Sequence, residues 1–270
     1  MKLTNKTILL ATIVAIIAGC EVEPKQTLPN RNFELVWNDE FEGDSGDAPN
    51  ATKWTYDLGT GQNGWGNNEL QTYTNNAQNV SLDGNGNLTI AAIKTGSNYT
   101  SARIKTKGIF SQKYGKFEAR IKTPTGSGMW PAFWMLGDNI DSVGWPQCGE
   151  IDIMEQKGKF SNITYGTIHG PSYSGGEAIT SPYSIQNSRF DNDFFVYAVE
   201  WSESQIDFFV NGYLYRRITP AETKGQWVFN QTFFMILNLA VGGNFGGPPN
   251  ENTPFPSTMT VDYVRVYKEK

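Results

Sequence analysis

The chain has 270 residues, a net charge of −5, 18% charged residues and 13% aromatic residues. No basic surplus invites nucleic acid, and no block of like charge forms an interaction tail. Its 28 glycines and 13 prolines suit many turns rather than long helices.

Along the chain, Lys2 and Lys6 precede an apolar run from Ile8 to Ile17, followed by Ala18, Gly19 and Cys20. Residues 1–20 therefore read as a secretory signal, too short to persist as a spanning helix. The ending Ile17-Ala18-Gly19-Cys20 resembles a bacterial lipobox, which implies that Cys20 is lipidated after cleavage. The polar stretch 21–31 contains two prolines and reads as a tether. The expectation is export across the inner membrane and lipid anchoring in the cell envelope, periplasmic or on the cell surface. Contact with the membrane is through that anchor only. Residues 32–270 show no repeat or composition break and are expected to form one monomeric domain, of a length ordinary for an all-β sandwich.

Short alternating segments recur through that domain. Asn87–Ala92 reads as a strand after a Gly-Asn-Gly turn, and Gly115–Lys122 alternates apolar with polar. Gln205–Val210 does the same and runs into Asn211-Gly212, a hairpin turn signal. From Thr258 to Tyr267, Met259, Val261 and Tyr263 alternate, then Val264 and Val266 follow after a shift of face. No window of helical length shows a helical period. The fold class is all-β, a two-sheet sandwich or jelly roll.

The segment Gly149-Glu150-Ile151-Asp152-Ile153-Met154-Glu155 carries the functional reading. In a strand, Glu150 and Asp152 share one face while Ile151 and Ile153 face the core. Regular continuation turns Glu155 inward, where a lone carboxylate is costly. One extra residue near Ile153-Met154, a β-bulge, returns Glu155 to the open face. A glycosidase needs paired carboxyls: one attacks the anomeric carbon, the other protonates the leaving oxygen and then activates water. Retaining enzymes hold these about 5–5.5 Å apart. Four strand steps separate the backbones by about 13 Å, a gap that two leaning glutamates can largely close. Cys148 lies two residues before Glu150, and the one histidine, His169, offers it a base. A small core residue is the simpler reading of this cysteine.

Glu150-Ile151-Asp152-Ile153-Met154-Glu155 resembles the signature of glycoside hydrolase family 16, in its bulged form and its laminarinase branch. Further segments carry the resemblance from about Phe33 to Tyr267: Trp65–Tyr73, Gly128–Leu136, Thr167–Gly170, Asn238–Gly243 and Val261–Tyr267. It implies a β-jelly roll with a substrate cleft across its concave sheet. It implies Glu150 as nucleophile, Glu155 as acid/base, Asp152 as helper, and His169 near Glu155 on the next strand. It further implies Asn67, Arg103, Trp130, Trp134, Trp145 and Asn238 as substrate-binding residues. A structural calcium, without catalytic role, would take backbone oxygens of Glu40 and Gly86 and the carboxylate of Asp262. No catalytic cofactor is expected, and one histidine with one mature cysteine builds no conventional zinc site.

The expected activity is retaining endo-hydrolysis of β-1,3-glucan, extending to mixed-linkage β-1,3/1,4-glucan. The competing readings are an agarase or carrageenase of the same family, a transglycosylase, and a non-catalytic glycan-binding sandwich. A pure binder has no need of Glu150 and Glu155, which separates it from the enzymes.

Overall fold

The computed structural model describes residues 31–270. The signal segment with Cys20, and nearly all of the tether, lie outside the described residues.

Seventeen strands make up almost all of the regular structure. They are β1 (Phe33–Asp39), β2 (Thr55–Asp57), β3 (Gln71–Tyr73), β4 (Val80–Leu82), β5 (Leu88–Thr95), β6 (Asn98–Ser101), β7 (Arg103–Lys105), β8 (Gly115–Lys122) and β9 (Met129–Gly137). There follow β10 (Glu150–Glu155), β11 (Ile163–His169), β12 (Ile179–Ser184), β13 (Phe195–Trp201), β14 (Ile206–Val210), β15 (Tyr213–Ile218), β16 (Phe233–Val241) and β17 (Ser257–Glu269). Among the described residues, helix is confined to turns of three to five residues.

The strands form two sheets. One has ten strands, ordered β15-β14-β13-β8-β17-β5-β6-β3, with β1 also on β17 and β4 on β5. The other has seven, ordered β12-β11-β10-β9-β16-β7-β2. The core lies between them. Phe117, Ala119 and Ile121 of β8 face inward from the larger sheet, and Phe133 and Met135 of β9 from the smaller, all with 0% exposure. Burying each large apolar side chain is worth roughly 1.5–3 kcal/mol.

The predicted strands are present. Gly115–Lys122 is β8, and Asn211-Gly212 joins β14 to β15 with both residues at positive φ, 48° and 79°. The shift of face in the last strand falls between Val261 and Tyr263, where the register with β8 slips at Asp262. Met259 and Val261 before the slip, and Val264 and Val266 after it, are all buried. β16 has no alternation because both of its faces are covered. Phe233, Met235, Leu237, Leu239 and Val241 join the main core. Phe234 and Ile236 join a second cluster with Leu136 and Cys148 on the sheet's outer side.

Candidate active site

The bulge in β10 is present. Against β11, Asp152 pairs with Thr167 and Glu155 with Tyr165, so three steps on β10 match two on its neighbour. Against β9, the same stretch runs from Asp152 opposite Trp134 to Glu155 opposite Ala132. The extra residue lets Ile151, Ile153 and Met154 all reach the core. Glu150, Asp152 and Glu155 share the outer face of the smaller sheet. A one-residue slip reverses every side chain beyond it, so without the bulge Glu155 would be internal.

Around Glu155 the environment is nearly dry, with 9% exposure. Trp130 Nε1–H donates to its Oε1 at 2.9 Å, and the Thr167 hydroxyl donates to Oε2 at 3.5 Å. Burial first, then the neighbouring Asp152 charge, pushes the Glu155 carboxyl from 4.5 to about 8, against the lowering effects of His169 and Trp130. At neutral pH Glu155 therefore holds a proton, as a general acid must.

Asp152 is fully buried, hydrogen-bonds Glu150, and is pushed well above the usual carboxylate range by burial and by the Glu150 charge. Its Oδ2 is buried, and an uncompensated anion there would be costly. Glu150 is partly open, and Trp145 Nε1–H donates to its Oε2 at 2.8 Å.

His169 departs from expectation. The register sets it opposite Glu150, not Glu155. Its Nε2 lies 3.2 Å from Asp152 Oδ2 and 3.6 Å from Glu150 Oε1. The Gly175 backbone N–H donates to Nδ1 at 3.1 Å, so the neutral ring carries its hydrogen on Nε2, facing the acids. Glu150, Asp152 and His169 offer ligand atoms within 4.8 Å of one another, a spacing open to a metal ion. The Gly175 contact opposes that use, because a metal on Nε2 would drive the hydrogen to Nδ1 against another N–H.

The pairing aligns a row of side chains across five strands: Glu155, Ala132, Asn238, Arg103 and Asp57. Asn238 accepts from Trp134 Nε1 at 2.7 Å and donates to the Tyr73 hydroxyl at 3.1 Å. The Arg103 guanidinium lies 4.7 Å from the ring centres of both Trp65 and Trp134, with Asp57 2.9 Å from its Nε. Trp145 is 47% exposed, so its ring is open to a ligand, whereas Trp130 is 9% exposed and serves Glu155. Asn67 donates to Glu69 at 3.3 Å.

The segment Trp65–Tyr73, one of those that carry the family resemblance, supplies further neighbours. Glu69 accepts from Asn67, from Gln71 Nε2 at 2.6 Å and from the Tyr73 hydroxyl at 3.1 Å, and burial raises its carboxyl. Trp65 reaches Arg103 from a loop in which Asn63, Trp65 and Asn68 all adopt left-handed φ near 50–56°. Such backbone is uncommon for a bulky residue and clusters at binding sites. Cys148 is buried, and burial, then the Glu150 charge, pushes its thiol up to about 11. It is therefore a core residue and not a nucleophile.

Residues 66–265 match the model of the family "Glycosyl hydrolases family 16". The chain belongs to glycosyl hydrolase family 16. A family 16 relative, the beta-glucanase of Rhodothermus marinus, is 40% identical over 99% of this chain and 97% of its own length. Among solved structures, the laminarinase catalytic domain of Thermotoga maritima superposes with a TM-score of 0.82 at 43% identity, covering 88% of this chain and 99% of that one. The endo-beta-1,3-glucanase of Pyrococcus furiosus also gives 0.82 at 43% identity, covering 89% and 96%. The jelly-roll class read from the strand pattern is thus the observed fold, and the chain is a glycoside hydrolase.

Proposed function

We propose that this chain is a retaining endo-β-1,3-glucanase that also accepts mixed-linkage β-1,3/1,4-glucan. The carrying observation is the bulge that brings Glu155, protonated at neutral pH, to the face that holds Glu150. Glu155 gives its proton to the glycosidic oxygen while a Glu150 carboxylate oxygen attacks the anomeric carbon and the carbon–oxygen bond breaks. Water then attacks that carbon, Glu155 takes a proton from it, and the ester to Glu150 breaks, releasing a β-configured end. Asp152 hydrogen-bonds Glu150. His169 presents Nε2–H to the same pair.

The choice of β-1,3-glucan rests on the activities named for the similar laminarinase and glucanases. Trp145 and Trp134, with Asn67, Arg103 and Asn238, are read as the residues that bind glucan. Sugar faces are apolar enough to stack on such rings, and the polar groups fix orientation. Trp130 is read as the partner of Glu155 rather than as a stacking platform.

The calcium reading is carried forward with its donors Glu40, Gly86 and Asp262. In its favour, the Glu40 carbonyl oxygen and a Glu42 carboxylate oxygen each come within 3.9 Å of where a Gly86 side chain would begin. Against it, the Asp262 carboxylate is ion-paired with Arg120, which an incoming ion would have to displace. No catalytic step runs through this site. Lipid anchoring through Cys20, export and a monomeric state complete the reading.

The test is Glu150→Gln assayed on laminarin, mixed-linkage glucan and agarose. The reading expects parental cleavage of the first two substrates only, no cleavage by the variant, and laminarin binding retained by the variant. Parental rates in the variant would remove Glu150 from the reaction. Agarose cleavage in place of glucan cleavage would move the substrate to a galactan.

A further inference from the structure

Phe245 lies on the helical turn Gly243–Gly246, just past the end of β16. Its ring centre is 5.2 Å from that of Trp130 on β9 and 5.3 Å from that of Tyr165 on β11. It thus reaches over β9 and β10 to the strand that pairs with Glu155. Lys157 Nζ caps the ring 4.3 Å from its centre.

The turn has no slack against Trp130. A side chain on Gly243 would begin 3.0 Å from Trp130 Cζ3, and one on Gly246 would begin 3.1 Å from Trp130 Cβ. Asn68 Nδ2 donates to Asn244 Oδ1 at 3.0 Å and ties the turn to the 64–68 loop. Trp130 is therefore packed on several sides, and the bond it makes with its one polar atom is to Glu155, at 2.9 Å. Packed aromatic contacts of this kind favour one indole orientation.

We propose that Phe245 is a positioning residue for Glu155, acting through Trp130: its ring holds the indole so that Nε1–H stays aimed at the acid's Oε1. The assignment rests on Glu155 as the general acid.

The test is the pH profile of kcat/KM on a laminari-oligosaccharide for Phe245→Ala, Trp130→Phe and the double variant, with Phe245→Leu and Phe245→Tyr alongside. Losing the Trp130 bond removes a group that favours the ionised acid, so the alkaline limb should move upward in Phe245→Ala. It should move by about as much as in Trp130→Phe, with kcat/KM down by about three- to tenfold. On the Trp130→Phe background, Phe245→Ala should add no further displacement, and Phe245→Tyr should keep the parental limb. Phe245→Leu gives the same reading if the alanine variant does not fold. A limb that stays in place, adds to the Trp130→Phe displacement, or moves down overturns the proposal; a downward move is what water entering past a lost wall would produce. Glu155→Gln separates the two levels. Parental activity in that variant removes Glu155 as the acid, whereas its inactivity together with an unmoved Phe245→Ala limb removes only the role of Phe245.

Discussion

Trp130→Phe removes the indole N–H together with three ring atoms, while phenylalanine keeps an aromatic ring in the packed position. The lost bond, 2.9 Å from Nε1 to Glu155 Oε1, forms to both protonation states of the acid but more strongly to the anion. Bonds to charged groups are worth about 1.5–3 kcal/mol and neutral ones about 0.5–1.5, so the anion loses about 1 kcal/mol more than the neutral acid. That corresponds to a rise of somewhat under one pH unit. The parental acid stands at about 8, raised by burial and by Asp152, and Trp130 lowers it. Because the acid must be protonated to donate, activity is lost as pH rises through that value. The assay is kcat/KM from pH 5 to 10, which reports the free enzyme. The parental rate should fall on the alkaline side near pH 8, and the variant's fall should begin almost one unit higher. An unmoved limb, or one displaced to lower pH, would refute the reasoning that this indole stabilises the ionised form.

Other consequences follow from the same cluster. Asp152 hydrogen-bonds Glu150, and burial and the Glu150 charge raise its carboxyl, so Asp152→Asn, a neutral donor of the same shape, should keep cleavage within about tenfold of the parent while Asp152→Ala loses about a hundredfold or more; an asparagine variant as inactive as the alanine would mean that the anion is required. Glu155 also costs stability at high pH: its folded value is raised from 4.5 to about 8, so its contribution is intact below the unfolded value and lost as pH rises through the folded one. The full loss corresponds to roughly 5 kcal/mol, so the Tm of Glu155→Gln should gain on that of the parent by about ten degrees or more between pH 5 and 9. A constant difference would mean that Glu155 ionises freely in the fold. Removal of calcium with a chelator should lower Tm by a few degrees while leaving initial rates at 25 °C unchanged, and an unchanged Tm with no bound metal by elemental analysis would dispose of the Glu40–Gly86–Asp262 site.

The sequence reached furthest where one face of a strand is wet. Alternation in Gly115–Lys122 and in the last strand translates directly into β8 and β17, including the slip at Asp262. The bulge in β10 followed from the cost of an inward Glu155. β16 was not legible as a strand, because Phe234 and Ile236 find a second apolar cluster and both faces are buried; a continuous apolar run has no period to read. His169 was found as a residue on the strand next to the acids, but its register opposite Glu150 was not, since the offset between β10 and β11 depends on the length of the connecting turn. Asp57 and Phe245 gave no signal, because each acts through a neighbour distant in sequence: Asp57 through Arg103, Phe245 through Trp130.

The most direct measurement of the double-displacement chemistry is proton NMR of a laminari-oligosaccharide during its first minutes of cleavage. Two inversions, at Glu150 and then by water, predict that the new reducing end appears first as the β-anomer, with the α-anomer growing in only by mutarotation. An α-anomer present from the first spectrum would show a single inversion, and the pairing of Glu150 with Glu155 as nucleophile and acid/base would be wrong.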